Sequence, residues 1–181
     1  MDLLIGEPLA LDLLNTRAST RDGEIDALDS VEAFERWLAR QADRITAPSS
    51  VTTATLTAVG ELREHIRTAV EAARRGDPVP TQALDAVNRA IRTAPAYRIL
   101  QPDLGVIAGR HGDNLARLLA QLAEAAVDLL GDPAVVKVRA CEGPQCRMLF
   151  LPTHPRRRWC SPALCGNRAR VARHYQRHKN A

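Results

Sequence analysis

The sequence is poor in aromatics, with two Trp, two Tyr and two Phe among 181 residues. Its core must therefore be built mostly from Leu, Val, Ile and Ala, a composition that favours helices. It has no apolar run of about eighteen residues, so no membrane-spanning helix is expected. The opening stretch, MDLLIGEPLALDLL, lacks a basic region and a small-residue cleavage site. It carries Asp2, Glu7 and Asp12 instead, so it does not read as a secretory signal. Cysteine is absent from the first 140 residues. A glycine-rich phosphate loop, a supported Ser-His-Asp set and convincingly paired carboxylates are also missing, and no enzyme is expected. Lysine is nearly absent, with 2 Lys against 23 Arg. Arg suits bidentate contact with phosphate and guanine.

Acidic residues are scarce at one end. Residues 1–136 hold 14 Lys and Arg against 20 Asp and Glu, a balance of −6. Residues 137–181 hold 11 against one, Glu142, a balance of +10. Such asymmetry points to a polyanion partner at the C-terminal end. The alternative is a solubilising tail.

The helical periodicity is clear in several places. Leu9, Ala10, Leu13 and Leu14 mark a short helix ending at Asn15-Thr16-Arg17. Asn15 and Arg17 are the candidates for a ligand pocket, against the plainer reading of a helix end with solvated polar groups. Residues 18–29 are polar and acidic and are expected to form a loop. Ser30 can cap a helix bearing Val31, Phe34, Trp37 and Leu38. A long helix is expected from about Val51 to Arg75, stopped by Gly76-Asp77-Pro78. Thr81 can cap a shorter helix carrying Leu84, Val87 and Ile91. Residues 96–108 suggest a β-hairpin around Gln101-Pro102-Asp103-Leu104. Asp113 caps the clearest helix, with Leu115, Leu118, Leu119, Leu122, Ala126 and Leu129 on one stripe. The expected fold is mainly α with a small β-hairpin (α+β), followed by a treble-clef-like zinc finger. Residues 1–133 and 134–181 are the expected domains.

All four cysteines fall in one stretch, as Cys141-x4-Cys146-x13-Cys160-x4-Cys165. Two close pairs across a hairpin-sized spacer suit a tetrahedral site, so one structural Zn2+ per chain is expected. Two disulfides or four free thiols are the alternative. Four sulfurs close the coordination shell and leave no open position for catalysis. Four thiolates and one Zn2+ add −2, leaving the module near +8. Residues 134–140 are expected to enter the site as a strand and 147–151 to form the next strand. A final helix, capped by Asn167 or Ser161, is expected to run to about Lys179. On that helix Arg170, Arg173 and Arg177 share one face. Arg156, Arg157 and Arg158 are expected on a hairpin strand beside the metal. Arg168 can contact phosphate or hydrogen-bond the knuckle backbone. His154, His174 and His178 are expected at the surface rather than on the metal.

The run from Val138 to Arg177 carries these spacings, Leu149-Phe150, the stretch Arg156-Arg157-Arg158-Trp159-Cys160-Ser161, and Cys165-Gly166-Asn167-Arg168. It resembles a CGNR zinc finger over about a quarter of the chain. The run Leu9 to Arg17, LALDLLNTR, with the helices and hairpin that follow, resembles an ABATE domain. That domain usually partners this finger in bacterial proteins described as stress-induced transcription regulators. The resemblance implies a regulator with a C-terminal nucleic-acid-binding module, and the lack of a secretory signal or membrane-spanning run makes the cytoplasm its expected location. DNA is the expected partner, with RNA or an acidic protein surface as alternatives. The N-terminal domain would sense something or form a homodimer.

Overall fold

The computed structural model describes residues 6–20 and 23–171. Five helices dominate it: α1 (Leu9–Leu14), α2 (Val31–Ala39), α3 (Thr53–Arg75), α4 (Thr81–Thr93) and α5 (Asn114–Gly131). Three antiparallel pairs complete it: β1 (Arg17–Thr20) with β2 (Gly23–Asp26), β3 (Ala96–Leu100) with β4 (Val106–Arg110), and β5 (Arg139–Ala140) with β6 (Leu149–Phe150). The fold is thus mainly helical with small strand pairs, as expected from periodicity.

Local chemistry sets most helix ends. Ser30 Oγ accepts from Ala33 N–H at 3.1 Å. Thr52 and Thr55 form a reciprocal capping box at the start of α3. Gly76 closes that helix at φ 73°, where a Cβ would be strained. Asp113 Oδ1 accepts from Ala116 N–H at 2.8 Å. Thr81 departs from expectation: it is the first residue of α4, and Pro80 holds the cap position without a side-chain bond.

Helices α3, α4 and α5 pack against one another, and α1 lies against α3 and α5. Val59, Leu62, Ile66, Val70, Leu118, Leu122 and Ala126 fill the interior. Six residues are too few for a stable isolated helix. Leu11, Leu13 and Leu14 of α1 are nevertheless fully buried. Each contributes about 2 kcal/mol by leaving water, so tertiary packing holds α1 in place. Asp12 is also fully buried. It accepts from the backbone N–H groups of Gly6 and Glu7 and pairs with Arg44.

Two expectations are corrected. Residues 18–29 are not a loop throughout, because β1 and β2 form a hairpin in which Ala18 pairs with Ile25. Neither strand shows a long apolar alternation. Their order comes from packing, since Ala18 and Ile25 lie against the cysteine cluster. Residues 134–140 are not one strand. Pro133–Lys137 is a 3-10 turn, and only Arg139–Ala140 is extended. Asp132 Oδ1 caps Ala134 N–H at 2.7 Å, and proline sits at the helix start. That local capping outweighs the β-preference of two valines.

Arg63 of α3 fastens β2 to the helices with 2.6 and 2.7 Å bonds to the two Asp26 carboxylate oxygens. Burial pushes the Asp26 carboxyl up. The bonds from Arg63 and from Leu28 N–H, with the charges of Arg63 and Arg17, outweigh it and hold Asp26 below its ordinary value. A depressed carboxyl stabilises the fold above the unfolded value, and this contribution is lost as pH falls through the folded value. Asp26→Asn is therefore expected to flatten the acid limb of stability below about pH 4. Urea unfolding across that range checks it, and an unchanged slope would contradict it.

Candidate metal centre and basic surface

The four cysteine sulfurs lie within 4.8 Å of one another. Cys146 Sγ is 3.8 Å from Cys160 Sγ, and Cys160 Sγ is 3.6 Å from Cys165 Sγ. A disulfide needs about 2.05 Å, so these are not bridges. A tetrahedron with Zn–S near 2.3 Å has edges of about 3.8 Å, which these separations match. The donor set therefore fits one Zn2+, which Cys141, Cys146, Cys160 and Cys165 would hold. A closed four-sulfur shell makes that ion structural.

The backbone is shaped around the sulfurs. In the first knuckle Gln145 takes a left-handed φ of 57°, bending the chain back before Cys146. A Cβ on Gly143 would stand 2.9 Å from Cys165 Sγ and 3.4 Å from Cys141 Sγ. Only glycine leaves that room. Its N–H points to Cys141 Sγ at 3.4 Å, as does Cys160 N–H at 3.2 Å. Arg168 reaches Cys165 Sγ at 2.7 Å. Such donors spread the negative charge of a thiolate set.

The thiols also act on each other. Hydrogen bonds from Cys146 and Cys160 hold Cys141 as a thiolate, down to about 2. The bond to Cys141 pushes Cys146 up to about 12, and Cys160 is raised as well. A dication supplies the charge that lets all four sulfurs ionise together.

The module is joined to the helical core by its own residues. Val135, Val138 and Leu149 belong to the main interior. Asn15 is 2 % exposed. Its amide donates to Leu149 O at 2.8 Å, and its Oδ1 accepts from Leu149 N–H at 2.8 Å. This side chain acts as a strand edge for β6. Arg17 instead has an exposed side chain, 3.4 Å from Glu24. Asn15 is thus committed to Leu149 in the interior, while Arg17 points to the surface beside Glu24.

The predicted basic residues have different placements. Arg156 is exposed. Arg158 is exposed and pairs with Glu142 at 2.6 Å. Arg170 is exposed and donates to Asn167 Oδ1 at 2.6 Å. Arg157 is turned inward. It donates to Glu7 Oε1 at 2.6 Å and to Cys160 O at 2.7 Å, with its guanidinium 4.4 Å from the centre of the Phe150 ring. Arg156–Arg158 lie in a turn and irregular chain rather than on a strand. Arg139 fixes this segment by donating to Pro155 O at 2.9 Å. Chain order gave no sign of the roles of Glu7 and Arg139, whose partners lie far along the sequence. Residues 167–171 begin the final helix after a π-turn at Pro162–Gly166. Arg173, His174, Arg177 and His178 lie outside the described residues.

The sequence matches two family models. Residues 7–133 match ABATE, described as "Putative stress-induced transcription regulator". Residues 137–178 match the CGNR zinc finger. The chain belongs to the ABATE family and carries a CGNR zinc finger at its C-terminal end. No curated protein matches it.

Proposed function

We propose that this chain is a cytoplasmic transcription regulator that binds DNA through its zinc module, with residues 1–133 sensing a signal or forming a dimer. The observation that carries the reading is charge: residues 137–181 hold 11 Lys and Arg against the single acid Glu142. The ion would hold the module together, and the module would present the cations. Arg156, Arg158 and Arg170 are the phosphate contacts proposed among the described residues, and Arg173 and Arg177 are proposed from sequence alone. Arg168 is assigned to the thiolates and Arg157 to the half-buried Glu7, so neither is counted among the phosphate contacts; the Arg158–Glu142 pair is solvent-exposed and can give way to a phosphate. The division between residues 133 and 134 is one of chemistry, since packing runs across it.

With about five phosphate contacts, log K is expected to fall against log[salt] with a slope of about −4 to −5. Arg156→Ala with Arg170→Ala should make the slope shallower by about two. A mobility-shift titration of the zinc-loaded chain, with RNA as competitor, tests this. No DNA affinity at low salt would refute the proposal, and preferential capture by RNA would redirect it.

A further inference from the structure

A second cationic place lies far from the zinc module in sequence. The β3–β4 hairpin, the first turns of α5 and residues 46–48 enclose a cleft of about 570 Å3. That volume falls in the range of small-molecule sites. Three arginines line it, Arg98, Arg110 and Arg117, and no acidic residue does. This is unexpected in a region whose balance is −6 over residues 1–136. Arg110 is already engaged, by Glu124 and by Ala94 O at 2.8 Å. The guanidinium groups of Arg98 and Arg117 have no carboxylate partner among the described residues.

The walls are built rather than incidental. Gln121 spans to the facing loop, accepting from Thr46 N–H at 2.8 Å and donating to Thr46 O at 3.2 Å. Asn114 donates to Ser49 Oγ at 2.6 Å. These contacts link positions 65 and 75 residues apart. On the opposite face of the hairpin from Arg98 and Arg110, the Tyr97 ring covers Gly109, where a Cβ would come within 2.5 Å of its hydroxyl. His111 meets the same ring at 4.7 Å between centres. The cleft thus offers two guanidinium groups without a carboxylate partner, beside small apolar residues such as Ala47, Pro48 and Ala108.

We propose that this cleft binds a small organic acid, a carboxylate on a small apolar body. Arg98 and Arg117 take the carboxylate, and Ala47, Pro48 and Ala108 pack against the body. The inference extends the sensing role proposed above. It is read from ligand binding alone, so it stands or falls separately from DNA binding.

The test is calorimetric titration of the full zinc-loaded chain with benzoate, with benzamide and inorganic phosphate as controls. Benzoate is expected to bind. Benzamide should bind about tenfold or more weakly, because charge-assisted bonds are lost. Arg98→Gln with Arg117→Gln should lose a similar factor. A circular dichroism melt of the variant establishes that it remains folded. No benzoate binding, equal binding of benzamide or phosphate, or unchanged affinity in the folded double-arginine variant would each overturn the proposal.

Discussion

Cys160→Ser is expected to abolish stoichiometric zinc binding and to unfold the CGNR module. Three sulfurs remain in that variant, and serine is a poor fourth donor for this ion. The module has little else to hold it, since β5 and β6 have two residues each. Structural zinc contributes about 10–16 kcal/mol in comparable peptides, more than the whole stability of most domains. The damage should not stop at the module. Val138 and Leu149 are buried within the helical interior. Exposing both would cost the helical part about 3–5 kcal/mol. Elemental analysis should fall from about one zinc per chain to a small fraction. Hydrogen exchange should rise across residues 138–171 and, to a lesser degree, in α1. Chelation of the wild-type chain should reproduce the pattern. If the variant keeps its zinc, the ligand assignment is wrong. If α1 keeps full protection when the module unfolds, the coupling is wrong.

Asn15→Leu is the second change with a large expected effect. Leucine has the same branched heavy-atom skeleton, though bulkier, and can neither donate nor accept. Both polar groups of Leu149 would then be buried without partners, at about 1–3 kcal/mol each. A loss of about 3 kcal/mol is expected in urea unfolding. Asn15→Asp should rescue little, because it keeps an acceptor for Leu149 N–H while setting a charge against Leu149 O. A loss below about 1 kcal/mol in either variant would mean that water replaces the bracket.

Asn15 also illustrates how much of the site could be read in advance. Its place at the end of an apolar helix was visible, and so was its polar character. Its partner, 134 residues away, was not. Helices α2, α3 and α5 were legible because an apolar stripe and a capping residue coincide in each. The β1–β2 hairpin was illegible because four-residue strands carry almost no periodic signal. The turn at Pro133–Lys137 was misread because its valines favour strand, while Asp132 and Pro133 favour a capped turn.

The cysteine positions and the charge imbalance are properties of the chain itself. Four sulfurs at knuckle spacings select a tetrahedral ion through ligand chemistry and chain reach, with little help from the rest of the fold. The helices follow in the same way from periodicity and caps. Which arginines remain available was decided by tertiary structure. Arg157 and Glu7 are 150 residues apart, and their ion pair exists only because α1 and the zinc module share one interior. Arg156 and Arg157 are adjacent and chemically identical, yet one is exposed and the other is stacked on Phe150. Long-range partners depend on how elements pack, and no local pattern in the chain records that.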